Sequence, residues 1–318
     1  MPHRIALLDD YQGVALRSAE WSRLPADCEV VPFRRHIAGA DDLVAALAGF
    51  DVVMALRERT KLPASVIERL PGLKLIVTAG MRNASIDIAA ARARGITVCG
   101  TSGLQYPTAE LAIALMLCLA RDIPNQERSL REGRWQTAAG YGLNGKTLGV
   151  LGLGTLGSRV ARLAKAFEMD VVAWSRNLTD ERAREFGAQR VELDDLLRRA
   201  DFVSVHLVLS DRSRGLIGAR ELALMKPSAY LVNTSRSPIV DQAALIAALE
   251  AGRIAGAGLD VYDREPLPPD HPILSAPRTV LTPHLGYTTH ETLRVFYAQA
   301  LEDIEAWLAG APIRVLEG

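Results

Sequence analysis

The stretch GVLGLGTLGSRVARLAKAF, Gly149 to Phe167, constrains this chain more than any other. An apolar run meets Gly152, Gly154 and Gly157 in a GxGxxG spacing, and a helical pattern opens inside the same turn. Glycines there answer three steric demands: a tight turn, close approach of the backbone to a ligand, and close packing of helix on strand. The arrangement that satisfies all three is a strand entering the helix of a βαβ unit. The N-terminus of such a helix presents unpaired N–H groups and the positive end of its dipole, which suits a phosphate.

The same kind of unit recurs along the chain. RIALLDD, CEVVPF, DVVMALR, LKLIVTAG and ITVCGT read as strands, separated by helical segments such as DDLVAALAG and SIDIAAARARG. KTLGVLGLG opens a second series, continued by DVVAWSR, DFVSVHLV, AYLVNTSR, GAGLDVY and TVLTPH. Strands alternating with helices predict α/β architecture with parallel sheets. The 318 residues exceed one average domain. We expect one domain over residues 1–102 plus 288–318 and a dinucleotide-binding domain over 103–287. PTAELAIALMLCLARDIP, apolar almost all round, is predicted as a long buried helix bridging the two. ETLRVFYAQALEDIEAWLAG has apolar residues at helical spacing and no strand after it, so it is predicted to return to the first domain and make it discontinuous.

Composition removes several classes of function. Lysine plus arginine and aspartate plus glutamate number 37 each, so no basic excess tracks nucleic acid or an anionic membrane. The three cysteines, Cys28, Cys99 and Cys118, form no CxxC pair and lie in apolar contexts, which predicts buried thiols, no disulfide and no metal site. The apolar LAIALMLCLA is bounded by Glu110 and Arg121, and the strand-like IALL is too short for a signal sequence, so a cytoplasmic protein is expected.

Strand, glycine turn, helix and second strand in register make Gly152, Gly154, Thr155, Leu156 and Gly157 the expected seat of a dinucleotide pyrophosphate. The second strand of this unit ends in VVAWSRN, with Ser175, Arg176 and Asn177 where an acid would hold the ribose hydroxyls of NAD and repel a 2′-phosphate. Arginine pairs with phosphate, and serine and asparagine offer hydrogen bonds, so NADP is favoured, with NAD use by a tolerant site as the alternative.

Three segments, LVNTSRSPIVDQAALIAAL, GAGLDVYDREPLP and TVLTPHLG, resemble the D-isomer-specific 2-hydroxyacid dehydrogenase family, and the similarity covers nearly the whole chain. The resemblance implies two Rossmann-like doubly wound parallel-sheet domains with the active site in the interdomain cleft. It implies a catalytic triad at Arg236, Glu265 and His284, each just after a predicted strand. Reduction of a 2-keto acid needs a cation for the carboxylate and a proton for the developing alkoxide, roles that suit Arg236 and His284, with Glu265 orienting the imidazole. The resemblance also places Thr234 and His206 near the cofactor, Asp260 against the nicotinamide carboxamide and Gly286 beside the ring. Core-packing or turn roles stand as alternatives for His206 and Gly286.

Departures from the family pattern bear on substrate. Ser237 stands where a glycine is usual, HLVLS lacks a proline common after the histidine, and the loop AGMRNASID carries Met81 and Arg82 without a usual glycine. The family's version of that loop lends N–H groups to a substrate carboxylate, so Ala79, Gly80 and Met81 are candidates, with Arg57 and Arg82 as further contacts or as solvated surface. Small 2-keto acids such as glyoxylate or hydroxypyruvate fit the family's NADPH-using members. The sequence ends at Gly318, soon after the returning helix, so an appended regulatory domain is not expected. Glu265 argues against formate chemistry, whose branch pairs its histidine with glutamine. A dinucleotide-sensing corepressor is the alternative of a different class, and the family likeness further implies a homodimer.

Overall fold

A computed structural model describes residues 3–317. The chain divides into two compact units, Met1–Leu104 with Thr289–Gly318, and Gln105–Thr288.

The first unit is built on β1 (Arg4–Leu7), β2 (Glu29–Pro32), β3 (Val52–Ala55), β4 (Leu75–Thr78) and β5 (Thr97–Gly100). These strands lie in the order β2-β1-β3-β4-β5, and every pair is parallel. β3 and β4 are buried along their whole length, as parallel strands covered on both faces must be. One face packs Ala6, Val53, Ala55, Ile76 and Val98 against Leu43, Leu47, Val66 and Ile67 of the connecting helices. The closing helix His290–Leu308 packs against β4 within this unit, as its apolar spacing predicts. Val315 then bridges Cys99 antiparallel. Asp303 of that helix is fully buried and pairs with Arg314 at 2.9 Å. Burial pushes the Asp303 carboxyl up, against the Arg314 charge, to about 7.

The second unit carries β6 (Thr147–Leu151), β7 (Asp170–Trp174), β8 (Gln189–Arg190), β9 (Phe202–Val205), β10 (Tyr230–Asn233), β11 (Gly256–Leu259) and β12 (Thr279–Leu281). The order is β12-β11-β10-β9-β6-β7-β8, again parallel throughout. β6 starts in the middle: the chain winds outward to β8, then crosses back to β9 and winds the other way. The crevice at the carboxyl ends of β6 and β9 is therefore the switch point, where sheets of this kind bind ligands. Side chains alternate between two cores. Leu148 and Val150 face one that contains Ala112, Met116 and Val160, and Leu151 and Val205 face the other.

Three expectations are corrected. The apolar helix Tyr106–Arg121 belongs to the second unit, packed on the helix Thr155–Ala166, β10 and β11. Its buried face is Ala109, Ala112, Ile113, Leu115, Met116, Leu119 and Ala120, while Ala114 is exposed and Leu111, Leu117 and Cys118 are half-buried. Of the three thiols only Cys99 is fully buried, although all are free. β8 was not expected from the sequence, since two polar residues carry no apolar signal. Among the described residues no helix is long and apolar enough to cross a membrane.

Candidate active site

The glycine turn is set by close approaches of backbone to backbone. Gly152 has φ +97°, a conformation that L side chains rarely adopt, and a Cβ there would lie 2.8 Å from the His206 carbonyl oxygen. A Cβ at Gly157 would lie 1.9 Å from the Gly152 carbonyl oxygen, so the helix Thr155–Ala166 can approach the turn only with glycine in that place. Gly154 is different: a Cβ there would meet nothing within 4 Å, so the space beside it is open. The helix begins at that opening with no side-chain cap. Its first-turn N–H groups, from Thr155, Leu156 and Gly157, therefore face the demand of an anion that the chain does not supply. This cradle fits a dinucleotide pyrophosphate.

Trp174 ends β7, and Ser175, Arg176 and Asn177 follow it into a cleft at the same end of the sheet. His206 follows β9, with Nε2 2.8 Å from the Ser204 hydroxyl and Nδ1 buried without a hydrogen-bond partner. Burial pushes its imidazole down to about 4, so it is neutral at pH 7. The Thr234 hydroxyl, just after β10, is likewise buried without a partner. Orphaned polar atoms of this kind call for a ligand group or water.

Arg236, Glu265 and His284 follow β10, β11 and β12. The Arg236 backbone is extended, and its carbonyl accepts from Asn233 Nδ2 at 3.1 Å. Glu265 Oε1 accepts from the Tyr262 N–H at 2.9 Å, and Oε2 lies 2.6 Å from His284 Nδ1. Burial opposes the charge of Glu265, but the hydrogen bond and charge of His284, the Tyr262 N–H and the Arg236 guanidinium together hold its carboxyl below the ordinary value. An ionised carboxylate only accepts, so His284 Nδ1 carries the hydrogen and Nε2 is left to face outward chemistry.

His284 sits at φ +54°, rare for a side chain of that shape, and the structure shows what holds it there. Asp260 Oδ1 accepts from the Leu285 N–H and the Thr282 hydroxyl, both at 2.6 Å, and Oδ2 accepts from the Gly286 N–H at 2.8 Å. Asp260, expected against the nicotinamide carboxamide, is fully buried, and its carboxylate accepts three hydrogen bonds from the turn that carries His284. Burial raises its pKa, against the hydrogen bonds from Thr282 and Leu285. Gly286 is tied on its other side as well, its carbonyl accepting from the Thr108 hydroxyl at 2.8 Å. Ser237 is buried, its hydroxyl 3.3 Å from Gln242 Oε1.

The loop after β4, in the first unit, also differs from expectation. The Ala79 N–H donates to the Ala55 carbonyl at 3.0 Å and the Gly80 N–H to the Thr101 hydroxyl at 3.1 Å, so neither is available to a substrate. Met81 alone of the three retains an N–H without a partner in the chain, and its side chain is exposed. Arg57 donates from Nη1 to the Ala79 carbonyl at 3.2 Å and lies 3.6 Å from Glu58, which makes it a brace of this loop. Arg82 is exposed. Sequence reasoning missed Asn83, which is buried and donates to the Arg57 carbonyl and the Thr78 hydroxyl, both at 2.8 Å. Its signal, a polar residue in a loop, is shared by many solvated positions. Among the described residues no group of acidic, histidine and cysteine side chains can hold a metal ion.

Residues 113–286 match the family described as D-isomer specific 2-hydroxyacid dehydrogenase, NAD binding domain. The chain belongs to the D-isomer specific 2-hydroxyacid dehydrogenase family. Within that family it is 40% identical over 254 residues to a glyoxylate reductase of Korarchaeum cryptofilum, covering 78% of this chain and 76% of the relative. It is also 40% identical over 277 residues to a D-3-phosphoglycerate dehydrogenase of Archaeoglobus fulgidus. That match covers 86% of this chain and 52% of the relative, so the chain spans about half the length of this longer dehydrogenase. A solved phosphoglycerate oxidoreductase from Vibrio cholerae O395 superposes with a TM-score of 0.92 at 33% identity, covering 97% of this chain and 100% of that one. The second unit is accordingly the nicotinamide-dinucleotide domain of a D-2-hydroxyacid dehydrogenase, and the two units together are a two-domain Rossmann-like fold.

Proposed function

We propose that this family member reduces small 2-keto acids to D-2-hydroxy acids, with glyoxylate or hydroxypyruvate as substrate and NADPH used in preference to NADH. The observation that carries the reading is the 2.6 Å contact of His284 Nδ1 with Glu265, beside a cationic Arg236 and on the same sheet edge as the glycine cradle. When bound, the nicotinamide cofactor supplies the hydride that reaches the keto carbon. Arg236 binds the substrate carboxylate and draws charge toward the carbonyl oxygen. His284, protonated on both nitrogens, gives its Nε2 proton to that oxygen as the C–O double bond is reduced, and Glu265 stabilises the imidazolium that precedes this transfer. Asp260 acts through the turn, fixing where Nε2 lies. In the opposite direction the neutral imidazole accepts the hydroxyl proton.

Support for glyoxylate-type chemistry comes from the named reductase relative, and support for NADPH from Ser175, Arg176 and Asn177 at the end of β7. The test is kcat/KM for glyoxylate and hydroxypyruvate with each cofactor, followed by nicotinamide absorbance. NADPH should give the higher value. The double variant Ser175→Asp with Arg176→Ala should shift selectivity toward NADH by about 1–3 kcal/mol, the scale of a hydrogen bond to a charged group. Equal values for the two cofactors would remove the preference, and absence of turnover with any 2-keto acid would remove the activity.

The second unit also exposes apolar side chains close together in sequence. Ile123 is 46% exposed, Leu130 57%, Trp135 76% and Tyr141 57%, and Leu111 and Leu117 of the preceding helix are half-buried. Apolar surface on this scale favours a partner, and we propose a second copy of this chain. Light scattering at micromolar concentration should give the mass of two chains, and Trp135→Glu with Leu130→Glu should give one. A single-chain mass for the unaltered protein would contradict the dimer.

A further inference from the structure

The cleft at the end of β7 holds a residue that no motif singles out. It measures about 300 Å³, within the range of small-ligand clefts. Ser175, Arg176 and Asn177 line it, together with Ser210, Arg212 and Ser213 from the loop after β9. No acid lines it. The Ser213 hydroxyl donates to the Val208 carbonyl at 2.7 Å and accepts from the Ser210 N–H at 2.8 Å, which pins the loop and sets where the adjacent Arg212 projects. Arg176 and Arg212 are both exposed, and among the described residues neither makes a hydrogen bond or ion pair, whereas Arg182, Arg190 and Arg220 elsewhere on this unit are paired with carboxylates.

We propose that Arg212 is a second specificity-determining residue, joining Arg176 on the 2′-phosphate of the adenosine ribose from the loop after β9 that lines the same cleft. The inference rests on the NADPH reading and deepens it. Two unpaired guanidinium groups in one cleft repel each other when it is empty, and a dianion between them relieves that repulsion while each supplies charge-assisted N–H donors. A ribose with two free hydroxyls offers no such relief. One arginine on a flexible side chain can stack on adenine without discriminating, but two lining one cleft with Ser175, Ser210 and Ser213 make a site for a phosphate. Arg212 escaped sequence reasoning because it lies in an irregular loop, dozens of residues from Arg176, where no spacing marks it.

The test uses binding to the whole protein, with adenosine 2′,5′-bisphosphate and adenosine 5′-monophosphate as probes in calorimetric titrations. The unaltered protein should bind the bisphosphate more tightly. Arg212→Ala should weaken the bisphosphate by roughly tenfold or more, the effect of losing a hydrogen bond to a charged group, and leave the monophosphate within about twofold. Retained monophosphate binding reports that the variant is folded. Arg212→Lys should recover part of the loss through its charge. If the unaltered protein binds the two probes equally, the NADPH reading itself fails. If Arg176→Ala loses the bisphosphate preference and Arg212→Ala keeps it, the NADPH reading stands and the role of Arg212 is overturned. Equal weakening of both probes by Arg212→Ala would also overturn it, showing an adenine contact.

Discussion

Replacing His284 with alanine should lower kcat for 2-keto acid reduction by on the order of a hundredfold to ten-thousandfold, the usual cost of removing a general acid. Cofactor affinity should stay nearly constant, because the residues that shape the pyrophosphate cradle, Gly152, Gly154 and Gly157, do not touch the His284 turn. The turn itself has its own fastening in Asp260, whose bonds run to Leu285, Gly286 and Thr282 and not to the imidazole. The variant should therefore fold, at the modest cost of holding alanine at φ +54°, a conformation histidine tolerates better. Stopped-flow measurement of a single turnover, with cofactor affinity taken separately by fluorescence, separates the chemical step from binding. A variant that keeps near-normal turnover would show that the proton comes from elsewhere.

What the sequence made legible, and what it hid, follows from the range of the interactions involved. The central strands of these sheets are buried on both faces, so they read as short continuous apolar runs, and the eleven expected runs all appear as β-strands, with β8 the one addition. The glycine turn was legible because its constraint is local: Gly157 and the Gly152 carbonyl it must clear are five positions apart. The pairing of Glu265 with His284 was reachable only through family resemblance, since the two residues are 19 positions apart and on loops after different strands. The hold of Asp260 on the His284 turn was hidden for a related reason. Nothing near LDV announces that its carboxylate will be filled by donors 22 to 26 residues onward, and a buried acid on a sheet edge looks the same whether it serves a ligand or a turn. Ala79 and Gly80 failed as substrate contacts because sequence does not show which backbone N–H groups the fold has already spent, here on Ala55 and Thr101.

The pH dependence of reduction should carry the signature of the carboxylate partner. The proton given to substrate comes from the His284–Glu265 pair, so kcat/KM for reduction should be high at low pH and fall as pH rises and the pair loses that proton, while oxidation of the hydroxy acid should show the opposite limb. Glu265 is held in its charged form by His284, Tyr262 and Arg236 despite burial, and its negative charge, 2.6 Å from the imidazole, favours retention of the transferable proton. Glu265→Gln keeps the shape and removes the charge, and its single amide oxygen can accept from either His284 Nδ1 or the Tyr262 N–H but not from both. Reduction then needs a lower pH to keep the same fraction of the pair protonated, and kcat at neutral pH should drop with it. The sign is fixed by electrostatics: loss of a nearby negative charge always disfavours an imidazolium. The measurement that decides is kcat/KM against pH for keto-acid reduction by the unaltered protein and by Glu265→Gln. The account predicts that the descending limb of the variant moves to lower pH, and a variant profile that overlays that of the unaltered protein would contradict it.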